Sequence, residues 1–473
     1  MQDYLVLFGW CAVVFFLAAA LIPYLRGKSD LMCSWSLFLV GAANFIGYDS
    51  VLSGRRMFNW GLFTDQEYFK LISGAIVYTI AVFIGYYSFK FPGRIAGRTF
   101  LKWPDYHGSA GYIIIALCVT MLFFSVFFPE IQFIGQIIIV LGPPAGVLAI
   151  CIAFKRWWDN RISAGMLVIV GALLIISLVA AMHGTTGRRN VLSVVLAIPT
   201  CIYFLWLRQR RLGWSIVPLS VLVVATVIIM GAYTSIRHRY NLQTVNVTDR
   251  SPLQTAIESL RMLPSAIIEL RGLDNIFGSG AVEASLVAIA WYPQSAPHEP
   301  FFTLKYILAN PIPRAWWPDK PKALGETLPR DTGKWSRGYV NWGPGVVGHG
   351  FHEGGYHFIV LYALLAGIAM RYFDELLKRQ PDNPYLMGML AGASGQIIAY
   401  TRGDIGLFTV LIIGAVLAIL VVRWVMRPIV GYTLVYPSDA ERWQMQQMQE
   451  QPPELVNSEE LPAWPASPAP ARN

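Results

Sequence analysis

The residues best suited to proton transfer lie together in a glycine-rich stretch from Gly343 to Gly355, just before a long apolar run. His349, His352 and Glu353 all fall in this stretch. A carboxylate at the edge of a membrane is partly removed from water, which makes it a better proton acceptor. We therefore predict that Glu353 is a general base, with His352 and His349 as alternatives. The competing interpretation is a helix-terminal acid stabilised by the helix dipole.

A metal site is the other chemistry that this stretch suggests. His349, Glu353 and His357 are spaced by four residues, which would place them on one face of a helix. The glycines among them argue against a regular helix, and the paired aspartates typical of metal-dependent sugar transfer are absent. We predict a metal-independent reaction and no metal ion. Neither a P-loop nor a dinucleotide-binding fingerprint is present, so no cofactor is expected. Asp331 and Asp404 are weaker acid–base candidates.

A second group of residues is cationic and suited to an anionic ligand, because the planar arginine fork donates two parallel hydrogen bonds to phosphate. The candidates are Arg188, Arg189, Arg237, Arg239, Arg314, Lys320 and Arg402. The strongest candidates are Arg188 and Arg189, which follow a short Gly/Thr loop and begin a helix whose N-terminus favours an anion. The alternative is that these cations are unrelated surface charges in contact with water. Trp316 and Trp317 either stack on sugars or anchor the chain at the membrane surface.

The elements that must position these residues are membrane spans. The 473 residues are 55% hydrophobic and only 14% charged, and many apolar runs reach the roughly 20 residues that cross a bilayer core. The pattern predicts an all-α polytopic integral membrane protein. Its eleven candidate spans are 4–25, 31–52, 68–89, 110–128, 131–154, 162–182, 190–207, 214–233, 355–373, 385–400 and 405–426. Gly388, Gly392 and Gly395 in the tenth span predict close helix packing.

Basic residues in the short loops orient the spans. When eleven spans are threaded, the strongly basic loops all fall on one side, which should be the cytoplasm. The net charge of +9 is therefore an orientation signal, and no nucleic acid is expected as a partner. Residues 1–233 would carry spans one to eight, with the N-terminus outside, and 355–426 would carry the last three. Residues 427–473 would form a disordered cytoplasmic tail.

One large extracytoplasmic loop, 234–354, separates the two blocks of spans. Residues 252–272 have the pattern of an amphipathic helix that lies on the membrane surface or packs against the loop. The apolar segment 281–292 is too short to span and is predicted to be a buried or re-entrant helix. From 293 to 350 the Pro- and Gly-rich sequence predicts ordered loops with little regular structure.

Three motifs resemble those of bacterial Wzy-type polysaccharide repeat-unit polymerases, which are related to the O-antigen ligases. They are the Pro-rich aromatic and basic segment 311–321, the Gly-rich stretch 343–355 and the Gly-Arg-Arg-Asn element 187–190. The resemblance implies a multi-pass protein of the bacterial inner membrane that joins oligosaccharide units carried on undecaprenyl pyrophosphate, with a chain-length regulator as a further partner. It leaves a ligase-like or other lipid-phosphate-sugar glycosyltransferase open, and a transporter or flippase is less favoured.

Overall fold

The computed structural model describes residues 2–55, 63–99, 102–128, 135–160, 163–183, 188–209, 280–334, 342–430 and 433–435, with parts of 217–233 and 257–265. The first described helices are α1 Gln2–Leu25, α2 Ser34–Ala42, a π-helical turn Ala43–Tyr48, α3 Asp49–Arg55, α4 Asp65–Tyr87, α5 Phe91–Ala96, α6 Gly108–Phe127, α7 Gly135–Asp159, α8 Ala164–His183, α9 Arg188–Leu205 and a 3₁₀ turn Leu207–Gln209. The later ones are α10 Ala281–Trp291, α11 Phe302–Ala309, α12 Leu324–Asp331, α13 Gly345–Glu353, α14 Tyr356–Arg379, α15 Pro384–Ile398 and α16 Ile405–Val430. Two short antiparallel strands, β1 Lys102–Pro104 and β2 Thr433–Val435, pair Trp103 with Leu434.

Nine helices within the described residues are long and apolar enough to cross a membrane. They are α1, the continuous α2–α3 helix, α4, α6, α7, α8, α9, α14 and α16. Each coincides with a span predicted from the apolar runs, so the polytopic all-α class is confirmed. The predicted eighth span, 214–233, is described only in part, and its described residues, which lie between 217 and 233, are helical. Most of the amphipathic segment 252–272 and nearly all of the tail beyond α16 lie outside the described residues.

The tenth predicted span is the fifteen-residue helix α15, which at 1.5 Å per residue is only about 22 Å long. Every residue from Pro384 to Ile397 is buried, because α15 is enclosed by α2, α7, α9 and α16. A Cβ on Gly388 would lie 2.8 Å from the Leu148 side chain, and one on Gly392 would lie 3.3 Å from Pro144. The close packing that the glycines predicted is therefore confirmed.

Buried polar contacts fasten one end of the bundle, which we call the Asp374 end. The Asp374 carboxylate accepts hydrogen bonds from the Ser34 N–H and hydroxyl at 2.7 Å, and thereby caps α2 from a distant helix. Basic residues predicted to face the cytoplasm, such as Arg208, Arg379 and Arg423, lie at this end: Arg208 bonds to Asp30 at 2.8 Å, and Arg379 to the Gly93 carbonyl at 3.1 Å. The side of the membrane that this end faces stays a prediction.

Four short helices, α10 to α13, cover part of the opposite end. Helix α10 is almost wholly buried, as predicted for 281–292, and its first two N–H groups donate to the Asp49 carboxylate at 3.0 and 3.2 Å. The prediction of little regular structure from 293 to 350 is wrong, because α11, α12 and most of α13 lie there. The N-termini of α11 and α12 are bound by carboxylates from elsewhere in the chain, and local composition does not reveal such long-range contacts.

Candidate functional site

Helix α13 carries His349, His352 and Glu353, and it forms despite the glycines in its sequence. A side chain at position 350 would collide with Ile359 of α14, which packs directly against the backbone there, so glycine fits this position. The helix ends at Gly354 and Gly355, whose φ angles of 145° and 83° suit glycine and turn the chain into α14. Contrary to expectation, Gly350 does not prevent a helix over 345–353, whereas Gly354 and Gly355 do interrupt it before His357, as expected. His349 and Glu353, four residues apart, lie on one face of α13.

The Glu353 side chain is fully buried, and both of its carboxylate oxygens accept hydrogen bonds. Oε1 accepts the Thr303 N–H at 3.0 Å and also the Thr303 hydroxyl, while Oε2 accepts the Tyr362 hydroxyl. Because Thr303 lies in the first turn of α11, Glu353 stabilises the N-terminus of that helix. Glu353 is thus a helix-terminal acid, as the competing interpretation of the sequence held, but the helix that it caps is α11 and not its own.

His349 connects Glu353 to a second buried carboxylate. Its Nδ1 lies 3.1 Å from the Thr303 hydroxyl, its Nε2 accepts the Ile405 N–H at 3.3 Å, and Nε2 is 3.7 Å from Asp404 Oδ2. We call the series Asp404, His349, Thr303 and Glu353 the buried relay. All four residues are at most 2% exposed, so the relay is shielded from water.

Asp404 is held by backbone groups on two sides. Its carboxylate caps α16 through the Leu407 N–H at 2.9 Å and binds the Gly325 N–H of α12 at 3.0 Å. Burial alone would raise the pKa of Asp404, but His349 and these two N–H groups outweigh it and lower the pKa to about 2. Asp404 is therefore a carboxylate at pH 7.

His352 points away from the relay into an aromatic setting. The rings of Tyr292 and Phe302 meet its imidazole edge-on, with centroids 4.7 and 4.8 Å away. Burial, reinforced by the nearby His349, lowers the pKa of His352 to about 3, so the ring is neutral at pH 7. The role of His352 as an alternative base stays a prediction.

Two of the predicted cations lie around the turn that carries Asp404, between α15 and α16. The Arg189 guanidinium stacks 3.9 Å above the ring of Phe408 in the first turn of α16. Arg402 belongs to the turn itself, and its guanidinium lies 5.6 Å from the Phe45 ring. Arg188 is the first residue of α9 and precedes Arg189. The fold therefore brings Arg189 and Arg402 to the element that holds one end of the buried relay.

The remaining cations and tryptophans lie elsewhere. The Lys320 ammonium donates to the Asn310 and Ile312 carbonyls at 3.0 and 2.8 Å, and burial together with Arg314 lowers its pKa. Arg314 donates to the Pro318 carbonyl at 3.1 Å. These contacts fold the Pro-rich loop onto itself, and a ligand role for Arg314 and Lys320 stays a prediction.

In the same loop Trp316 is 70% exposed and Trp317 is half-buried, which leaves both sugar stacking and membrane anchoring open. Arg237 and Arg239 lie outside the described residues.

Sequence reasoning missed two members of the site. Thr303 bonds to both Glu353 and His349, yet it is one threonine in a segment predicted as loop. Tyr362 is nine residues after Glu353 in the membrane helix α14, and its hydroxyl donates to Glu353. Neither belongs to a motif, and only the fold brings them to Glu353.

Fold and site together define a polytopic helical membrane protein with the buried relay, a series of hydrogen-bonded polar side chains, at one end of its bundle. No protein-family model matches the chain, and neither a curated protein nor a solved structure is significantly similar to it.

Proposed function

We propose that the chain is a membrane glycosyltransferase that polymerises oligosaccharide units carried on undecaprenyl pyrophosphate, at the outer face of the inner membrane. The observation that carries the proposal is that Arg189 and Arg402 lie at the same turn as the buried relay. Sugar transfer from a pyrophosphate uses both a base and fixed positive charge. In this proposal Glu353, at one end of the relay, is the base, and the two arginines at the turn that holds the other end supply the charge. Ionisable groups within a membrane bundle are costly and usually serve function. The polysaccharide class itself comes from the motif resemblance.

In the proposed step the oxygen of an acceptor sugar hydroxyl bonds to the anomeric carbon of the donor as its proton is lost towards Glu353. The bond between that carbon and the pyrophosphate oxygen breaks, and the electron pair leaves with the lipid pyrophosphate. Arg189 and Arg402 stabilise the charge that develops on this leaving group. No metal ion takes part in this scheme.

The surroundings of Glu353 define the route of the proton. Both of its oxygens are covered by hydroxyl groups, so the proton from the acceptor passes through Tyr362 or Thr303 to reach it. Thr303 also joins Glu353 to His349, whose Nδ1 lies 3.1 Å from the Thr303 hydroxyl. Asp404, whose Oδ2 is 3.7 Å from His349 Nε2, helps to hold the imidazole in place, and the proton stays on Glu353.

The test is Glu353→Gln, expressed in the host strain after deletion of the native gene. The amide keeps the size of the side chain but cannot serve as the base, and loss of a general base costs roughly 10²- to 10⁴-fold in rate. Long polysaccharide chains should disappear while single repeat units remain. Glu283→Gln is the matched control, because Glu283 is 3% exposed, bonds to Ser53 and lies outside the relay.

Each outcome has a distinct meaning when both variants reach the membrane in normal amounts. Long chains that persist in Glu353→Gln would refute the proposed base. Chains that stay long but are no longer transferred to their final acceptor would indicate the ligase-like reaction instead. Unchanged glycan with altered solute uptake would indicate a transporter.

A further inference from the structure

Three buried side-chain nitrogens near the end of α13 have no hydrogen-bond partner among the described residues. They are Trp291 Nε1, His298 Nδ1 and His352 Nδ1. Leaving one such group unpaired costs about 1–3 kcal/mol, and most buried polar groups in proteins are paired. Three of them in one region therefore indicate a place where a ligand supplies the missing partners.

The three nitrogens belong to one local structure. The chain turns sharply after α10, with the Ser295 N–H bonded to the Trp291 carbonyl at 2.8 Å. It then returns to α13, where the Glu299 N–H donates to the His352 carbonyl at 3.1 Å. The segment from Trp291 to Phe302 thus lies against the C-terminal end of α13, and His298 is close enough to His352 to influence its pKa.

Aromatic rings flank His352, and Trp291 packs in the same apolar cluster as those rings. Tyr292 and Phe302 flank the His352 ring, and both pack in a small apolar cluster with Trp291 and Trp342. We call Trp291, Tyr292, His298, Phe302 and His352 the aromatic–histidine cluster. Mostly apolar and aromatic walls with a few convergent polar atoms are typical of sites for small molecules.

The charge around the cluster selects among ligands. His352 is neutral at pH 7, and its Nε2 lies 4.0 Å from Glu299 Oε1, a carboxylate on a side chain that is 60% exposed. Burial and the nearby Asp331 and Glu299 carboxylates raise the pKa of Tyr292 to about 12. Negative surroundings disfavour a phosphate or carboxylate ligand. An uncharged ring with several hydroxyl groups matches both the aromatic faces and the unpaired nitrogens.

We infer that the aromatic–histidine cluster is a binding subsite for a neutral sugar ring. Adjacent residues in α11 and α13 place this subsite beside the buried relay. Phe302 and His352 belong to the cluster, and the residues that follow them, Thr303 and Glu353, belong to the relay. If the proposed function is correct, this subsite holds the acceptor sugar next to the base, and that assignment of role rests on the proposed function. Sugar binding itself does not.

The test is binding of simple methyl glycosides to the purified full-length protein in detergent, measured by saturation-transfer NMR. The probes are the methyl glycosides of glucose, galactose, mannose and N-acetylglucosamine, each tested alone. Wild-type protein should bind at least one of them. Trp291→Phe keeps an aromatic face but removes the N–H donor, so it should weaken that binding about five- to tenfold. Trp424→Phe is the matched control, because Trp424 is 78% exposed and far along α16.

A second variant, His352→Phe, keeps the inference testable if Trp291→Phe does not fold. Thermal unfolding of each variant shows whether it is folded. The inference is overturned if no glycoside binds, or if folded Trp291→Phe and His352→Phe bind as well as Trp424→Phe. Binding of tetramethylammonium in place of the glycosides would overturn it too, because the site would then be one for cations.

The two proposals fail separately. Normal chain length in Glu353→Gln together with weakened glycoside binding in Trp291→Phe would remove the proposed function and retain the subsite. Loss of long chains in Glu353→Gln with unchanged binding in Trp291→Phe would remove the subsite alone.

Discussion

Replacing Gly395 with alanine tests whether the position of Arg189 depends on the close contact of α9 and α15. A Cβ on Gly395 would lie 2.8 Å from the Arg189 carbonyl carbon, closer still to its oxygen, and 3.0 Å from Ser193 Oγ. Ordinary contact begins at 3.4 Å, so α9 must move by about 0.6 Å to clear the carbon and by about 1.5 Å to clear the oxygen. The obstacle is backbone, which cannot rotate away as a side chain can.

Two hydrogen bonds cross this contact and would be stretched by the same movement. The Gly395 N–H donates to Ser193 Oγ at 3.1 Å, and Gln396 Nε2 donates to Asn190 Oδ1 at 3.0 Å. Overpacking of this kind typically costs about 1–3 kcal/mol. Misplacement of a binding group by about 1 Å can cost on the order of 100-fold in rate. Gly395→Ala should therefore lower both thermal stability and polysaccharide chain length.

The assay compares thermal unfolding of the purified protein in detergent with chain length in the deletion host. Gly171→Ala is the control, because it makes the same exchange in membrane helix α8 where a Cβ meets no atom within 4 Å. It should be neutral or slightly stabilising, since alanine favours a helix over glycine. If Gly395→Ala matched Gly171→Ala in both measurements, the reasoning about the α9–α15 contact would be refuted.

Two further predictions concern single buried charges. The pKa of Asp404 lies below its ordinary value of 3.8, so its ionised form stabilises the fold above about pH 4, and about 2 kcal/mol is lost as the pH falls from 4 towards 2. The unfolding temperature of the wild type should therefore fall more steeply over this range than that of Asp404→Asn, and equal slopes would contradict the assignment. Lys320→Met leaves the Asn310 and Ile312 carbonyls without their donor, at about 1–3 kcal/mol for each carbonyl that stays buried. Limited proteolysis should then cut the 310–321 loop faster than in Lys305→Met, a change at an exposed lysine, and equal rates would count against the internal role of Lys320.

The membrane helices were predictable because a run of apolar residues long enough to cross a bilayer is a local property of the sequence. The ranges of α1, α8 and α16 each fall within a few residues of a predicted span. The burial of 281–292 was predictable for the same reason, since the segment is apolar but too short to cross. Close packing at Gly388 and Gly395 followed from the spacing of small residues within one helix.

The site was predictable only in part, because its contacts join residues that are far apart in the sequence. Thr303 reaches a histidine 46 residues away and a glutamate 50 residues away. Gly350 was misjudged for a related reason: it allows Ile359 to approach the backbone of α13 closely, and that neighbour is known only from the fold. Residue type identified Glu353 and Arg189 as candidates, but their surroundings came from packing.

Three buried carboxylates share a structural task that bears on how substitutions at the site must be interpreted. Asp49, Glu353 and Asp404 bind the N-terminal N–H groups of α10, α11 and α12, and so attach these three short helices to the rest of the bundle. Replacing Glu353 or Asp404 with alanine would therefore release a helix as well as remove a charge.

An amide separates the two effects, because its single oxygen can still accept the N–H of the bound helix while its NH₂ group accepts no proton. Loss of function in Glu353→Gln with little loss of stability would thus mark proton transfer. Equal activity in the glutamine variant, with loss only in alanine, would mark a carboxylate that serves the fold alone. The comparison at Asp49, which caps α10 but lies outside the relay, supplies the result expected for a purely structural cap.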